Sequence, residues 1–125
     1  MKKVDVYFLT LAVVLLLCGV LLGIHMAMTQ NFQLTPVHAH LNLAGWASLA
    51  LFGLTYRAYP ELKARALARY HFFISGIAGA LIGPGIYLAV TGKTEGLAIG
   101  ASLLWLIGVI LFLIQVAHLL RTSAD

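Results

Sequence analysis

The sequence predicts an all-α fold, a bundle of four transmembrane helices forming a single domain over residues 1–125. Three observations predict it. The chain is 62% hydrophobic and 10% charged, with a mean hydropathy of +0.97, far more apolar than a soluble domain of its length. Its apolar residues fall into four runs, each near the roughly 20 residues that a helix needs to cross the hydrocarbon core. The connections are short, and none resembles a flexible linker, a low-complexity tract or a separate domain.

The first helix is expected from Asp5 to Ala27. Lys2 and Lys3 precede it as they would the apolar core of a signal peptide, but no small-x-small cleavage site follows, so the segment reads as a retained anchor. Cys18 is the single cysteine, which excludes an internal disulfide framework, and it reads as a small buried hydrophobe. His25 stands near the end of this helix with Cys18 seven residues before it and Met26 and Met28 after it. These are soft copper ligands by type, at no recognised spacing. The second helix is expected from His38 to Arg57, with Pro36 marking its start. The third runs from Tyr70 to Thr91, where Pro84 between Gly83 and Gly85 is expected to kink or break it. The fourth runs from Gly96 to Leu120. Gly19 and Gly23, Gly79 and Gly83, and Gly96 and Gly100 repeat the spacing of four that lets membrane helices approach closely, within one bundle or between subunits.

Charge sets the orientation. In a four-helix topology Lys2, Lys3, Arg57, Lys63, Arg65, Arg69 and Arg121 lie on one side and only Lys93 on the other, so both termini are expected in the cytoplasm of a bacterial inner membrane. The same placement explains the formal charge of +4 without nucleic acid. The partner implied is the lipid bilayer. No carboxylate falls inside a span, since Asp5 and Glu95 stand at segment ends, which argues against a proton or metal transporter. His71, after Arg69 and Tyr70, and His118, near the end of the last helix, read as ordinary interfacial residues.

Chemistry concentrates in Pro36-Val37-His38-Ala39-His40-Leu41-Asn42-Leu43-Ala44-Gly45-Trp46. Each helical residue turns roughly 100°, so His38 and His40 stand about 200° apart and face opposite sides of one helix. A single metal ion is not easily shared by both, and the pair reads as two ligands aimed into two spaces. Asn42, Gly45, Leu49 and Gly53 fall below His38, while Ala44, Ala47 and Leu51 fall below His40. Small residues beside an imidazole leave room for a flat group such as a porphyrin or for another helix. Imidazole is a good axial ligand for haem iron, Asn42 is placed to orient His38, and Trp46 and Phe52 are candidates to line the pocket or to fill plain core.

The stretch VHAHLNLAGW and the glycine-bearing helix that follows resemble subunit I of the haem-copper oxidases and related haem proteins of nitric oxide metabolism. In that family an HxH pair on one helix sends its imidazoles to two haems. The resemblance implies His38 and His40 as iron ligands, with Asn42, Gly45 and Trp46 in the cofactor-binding region and haem b as the cofactor. The family's twelve helices form three arcs of four, so a homotrimer of this chain would imitate the whole subunit. His38 of one protomer and His40 of the next would then hold a haem between subunits. The likeness stops at the copper site: the chain has no second histidine cluster, no adjacent histidine pair and no histidine-tyrosine pair at one-turn spacing. The chain is therefore not expected to be a complete oxidase, and no catalytic residue is assigned. Two functions remain. One is a haem b protein that transfers electrons to a redox partner or senses a diatomic gas such as NO or O2. The other is a non-haem accessory or assembly subunit that packs against a larger respiratory complex.

Overall fold

The computed structural model describes residues 1–122; the last three positions of the expected 1–125 domain lie outside the described residues. All the regular structure among them is helical. Helix α1 is Val4–Thr29. It ends where Gln30 enters the left-handed region at φ 52° and its side chain turns back to donate to the Ala27 carbonyl at 2.6 Å. Helix α2 covers 35–58 in three joined pieces: α-helix over Thr35–His40, a π-helical stretch over Leu41–Ser48, and α-helix over Leu49–Ala58. Pro36 occupies its first turn, where a missing N–H costs nothing. It stops at Tyr59, held extended by the proline that follows. The short α3, Pro60–Ala64, was not expected from the sequence. Helix α4 is Leu67–Val90, and a turn through Gly92 at φ 72° leads to α5, Gly96–Thr122.

Among the described residues, three helices are long and apolar enough to cross a membrane: Val4–Thr29, Leu67–Val90 and Gly96–Arg121. Large apolar side chains such as Leu17, Leu21, Leu103 and Leu113 stand exposed on their outer faces, as suits contact with hydrocarbon rather than water. By length and composition, these helices mark the chain as a membrane protein. Helix α2 is interrupted by its π-helical stretch and is the least uniform of the four expected spans.

Pro84 does not break α4, which runs unbroken from Leu67 to Val90. A proline in a membrane helix is tolerated where neighbouring structure packs around the freed carbonyl. Here α5 comes so close that a Cβ on Gly85 would lie 2.7 Å from the backbone nitrogen of Ala98. Two of the three expected glycine faces are used within the chain. Gly19 and Gly23 receive α2, and Gly79 and Gly83 receive Leu49 and Leu41. Gly100 has nothing within 4 Å of where its Cβ would stand.

The core runs along the α1–α2 seam and closes on α4 through Phe8, Leu49, Tyr56, Leu62 and Ala68. At the end of the bundle that carries the N-terminus, Asp5 is buried, and one of its carboxylate oxygens takes both Arg57 and Lys63 at 3.1 Å. That pair of contacts ties α1 to the end of α2 and to α3. Leu62, fully buried, lets the short helix plug the same end. At the opposite end Gln33 donates to the Val90 carbonyl at 3.3 Å, joining the α1–α2 connection to the end of α4.

Candidate functional site

The opposed geometry expected of His38 and His40 has a physical counterpart in the fold. The stripe below His38 is the face that α2 presents to α1. Gly45 lies against Leu15, and Gly53 lies against the Asp5 carbonyl, Leu9 and Phe8, closely enough that a Cβ at either position would stand 3.0–3.1 Å from them. His38 and Asn42 enter the notch that Gly19 and Gly23 leave in α1: a Cβ on Gly23 would lie 2.9 Å from the His38 ring, and one on Gly19 would lie 2.6 Å from the Asn42 amide. Beside His38 the neighbouring helix α1 takes the Nδ1 and Cε1 edge of the ring. His40 is exposed on the other side, as is Leu51 below it, with Ala44 and Ala47 half-buried.

Hydrogen bonding then fixes which ring nitrogen carries the proton. His38 Nδ1 lies 2.9 Å from the Gly19 carbonyl, and His40 Nδ1 lies 2.8 Å from the Pro36 carbonyl. A carbonyl oxygen only accepts, so both Nδ1 atoms donate. The Asn42 amide nitrogen, 3.5 Å from His38 Nδ1, then faces a donor and makes its bond to the His38 carbonyl instead, at 2.8 Å. Among the described residues neither Nε2 has a hydrogen-bond partner. Each imidazole is left with its Nε2 lone pair open, the arrangement in which a backbone carbonyl on Nδ1 orients a metal-ligating histidine.

The other residues expected near the site divide. Gly45 is buried against α1, whereas Trp46 is exposed at 39% and turned away from the chain's own core. Phe52 is core, with its ring 6.1 Å from that of Trp105 and 4.4 Å from that of Phe112. Cys18 is exposed, contrary to the buried position expected, because its side of α1 faces an apolar groove with Leu22, Val37, Leu41 and Tyr87 rather than closed core. His25 is exposed too, and the seven-position step from Cys18 amounts to about 10 Å of helix rise, too far to share one ion. Among the described residues no three His, Cys, Asp or Glu side chains converge to hold a metal ion.

His71 is the largest departure from expectation. It is fully buried between the helices, on the side of α4 that faces Phe8, Phe52 and Phe112, whereas the neighbouring Tyr70 is exposed. Its ring sits among Phe8, Phe52 and Phe112, with centroids 5.0, 4.8 and 5.4 Å away. Its Nδ1 lies 2.9 Å from the Tyr56 hydroxyl, which in turn accepts from the Gln115 amide at 3.2 Å. With its acceptor side used by Gln115, Tyr56 donates its single proton to His71 Nδ1, which places the imidazole proton on Nε2. That Nε2 is buried with no hydrogen-bond partner and only aromatic rings around it. The same holds for Ser75 Oγ and Gln115 Oε1, buried and unpartnered nearby. No spacing in one segment signals this cluster, since Tyr56, His71 and Gln115 come from three helices.

No known protein family matches this chain, and neither does any curated protein or solved structure at a significant level.

Proposed function

We propose that this chain is a small haem b-binding membrane protein whose axial ligands are His38 and His40, serving electron transfer or the sensing of a diatomic gas. One observation carries the reading: both imidazoles donate Nδ1–H to a backbone carbonyl and keep Nε2 unpartnered, on opposite faces of one helix. That is the donor chemistry an iron ligand needs. The exposure of His40 and Trp46 on a face that the chain's own helices leave uncovered supports a cofactor shared with a neighbouring copy. In this reading α2 spans the bilayer with the other three helices, three copies assemble, and His38 of one meets His40 of the next across the haem. Both termini lie in the cytoplasm of a bacterial inner membrane, by the distribution of Lys and Arg. Bound iron would supply one-electron chemistry, while the chain's own part is to fix the two rings by their carbonyl partners and to exclude water with the apolar faces of α1 and α2. Gln30, Asn31, Gln33, Thr35 and Lys93, near the far ends of α1 and α4, would be the residues to assist the propionates, and Lys93 stands over the Tyr87 ring at 5.8 Å.

The second reading, a non-haem accessory or assembly subunit, draws on a different observation. The notch of Gly19 and Gly23 already seats His38 and Asn42, and α5 leaves most of its apolar surface, including the unpacked Gly100, open to a partner. An optical spectrum of the detergent-purified protein, oxidised and dithionite-reduced, with a pyridine haemochrome assay, separates the two. Low-spin α and β bands with about one haem per chain are expected for bis-histidine ligation. Absence of a Soret band after expression with ample haem supply rejects the haem reading and leaves the accessory subunit.

A further inference from the structure

We infer that the end of the bundle carrying the termini holds a binding site for the phosphate of an anionic phospholipid, between Arg65 and the last turns of α5. The sequence gives only scattered positive charge there. In the fold these charges are used in two different ways. Arg57 and Lys63 both spend their charge on Asp5, at 3.1 Å each. Arg65 and Arg121 make no ion pair among the described residues; together with His118, Ile114 and Ala117 they line a pocket of about 240 Å³. No carboxylate is among the described lining residues. Arg65 Nη1 is buried without any acceptor, a costly state for a guanidinium nitrogen. An anion in the pocket would satisfy it.

The apolar surroundings identify the anion's carrier. Leu103, Ile107, Ile110 and Ile114 recur at helical spacing along α5, all four exposed at 47–59%. This stripe leads along the candidate span to the turn that carries His118 and Arg121. A lipid with its acyl chains along the stripe brings its phosphate to the pocket without leaving the bilayer, at the depth where headgroups lie. Guanidinium groups suit that phosphate because their planar fork binds two oxygens at once. A free phosphate ion would share the polar contacts but gain nothing from the stripe.

The test uses the full chain, delipidated in detergent and followed by native mass spectrometry during titration with phosphatidylglycerol, phosphatidylcholine or inorganic phosphate. Phosphatidylglycerol is expected to bind as a discrete adduct in preference to phosphatidylcholine, with Arg121→Gln and Arg65→Gln each weakening it about tenfold, the loss expected for one charge-assisted contact. Arg121 is exposed at a helix end, so its variant keeps the fold. Arg69→Gln serves as the control: it removes a charge nearby in sequence from a residue that instead stands over the Tyr70 ring, at 5.7 Å. It should leave binding unchanged. Equal binding by the Arg65→Gln/Arg121→Gln double variant, or an equal loss in Arg69→Gln, would overturn the site as unspecific charge attraction. Binding of inorganic phosphate as tight as that of the lipid would overturn the lipid as its ligand.

Discussion

The histidines near the two ends of this bundle are prepared in opposite ways. His38 and His40 each give a proton from Nδ1 to a backbone carbonyl and keep Nε2 open. His71 does the reverse: it accepts at Nδ1 from Tyr56 and holds its proton on an Nε2 enclosed by phenylalanine rings. Neither nitrogen of His71 has a lone pair to offer, so its contribution is to packing. The difference teaches that a histidine in a membrane helix is not read from depth or cost alone. What decides its role is which nitrogen the neighbouring carbonyl or hydroxyl claims.

The largest effect expected from breaking this contrast is on stability. His71→Ala empties a fully buried site and strands the Tyr56 hydroxyl, so it should cost about 3 kcal/mol, read as a lowered midpoint of thermal unfolding in detergent. A cost near zero would show that the aromatic cage does not close around His71. Gly23→Ala follows, at about 2 kcal/mol, because its Cβ would lie 2.9 Å from the His38 ring and the ring must move. If haem is bound, the same variant should shift or lose the low-spin spectrum, whereas His71→Ala should leave the spectrum of the surviving folded protein intact. Tyr56→Phe keeps the ring and removes only the hydroxyl between His71 and Gln115; a loss of about 1–2 kcal/mol is expected in the same unfolding assay. Smallest is Gly100→Ala. With nothing within 4 Å of the new methyl group, it should be neutral or raise stability by up to about 1 kcal/mol, since alanine is the better helix former. A destabilisation in the native oligomer but not in separated chains would instead place Gly100 in a subunit contact.

Much of this arrangement was legible in the sequence, for reasons that can be named. Apolar length predicted four spans, three of which are helices long and apolar enough to cross a membrane among the described residues, and the 3.6-residue period predicted the stripe of His38, Asn42, Gly45, Leu49 and Gly53 that α2 turns toward its neighbours. Both signals are local, set by a helix's own geometry. What escaped notice depends on other helices. His71 looked interfacial because Arg69 and Tyr70 precede it, and its burial follows from partners on α1, α2 and α5. Leu62 and the short α3 were hidden in a charged connection whose single leucine gives no period. Pro84 read as a kink or a break; the helix continues through it, and the glycine after it lets α5 pack against α4 at backbone distance. The π-helical stretch after His40 has no marker in the sequence that we can identify. It lies directly below the HxH pair, where such widened turns often accompany function.

The haem reading and the contrast between the two histidine environments are tested together by one measurement, the haem content per chain of the wild type, His40→Ala and His71→Phe purified in parallel. His40 is exposed and its loss should leave the fold unchanged, while phenylalanine keeps an aromatic ring in the His71 cage. The account predicts about one haem per chain in the wild type and in folded His71→Phe, and none or a high-spin remnant in His40→Ala. Full haem in His40→Ala, or its loss only in His71→Phe, would contradict it.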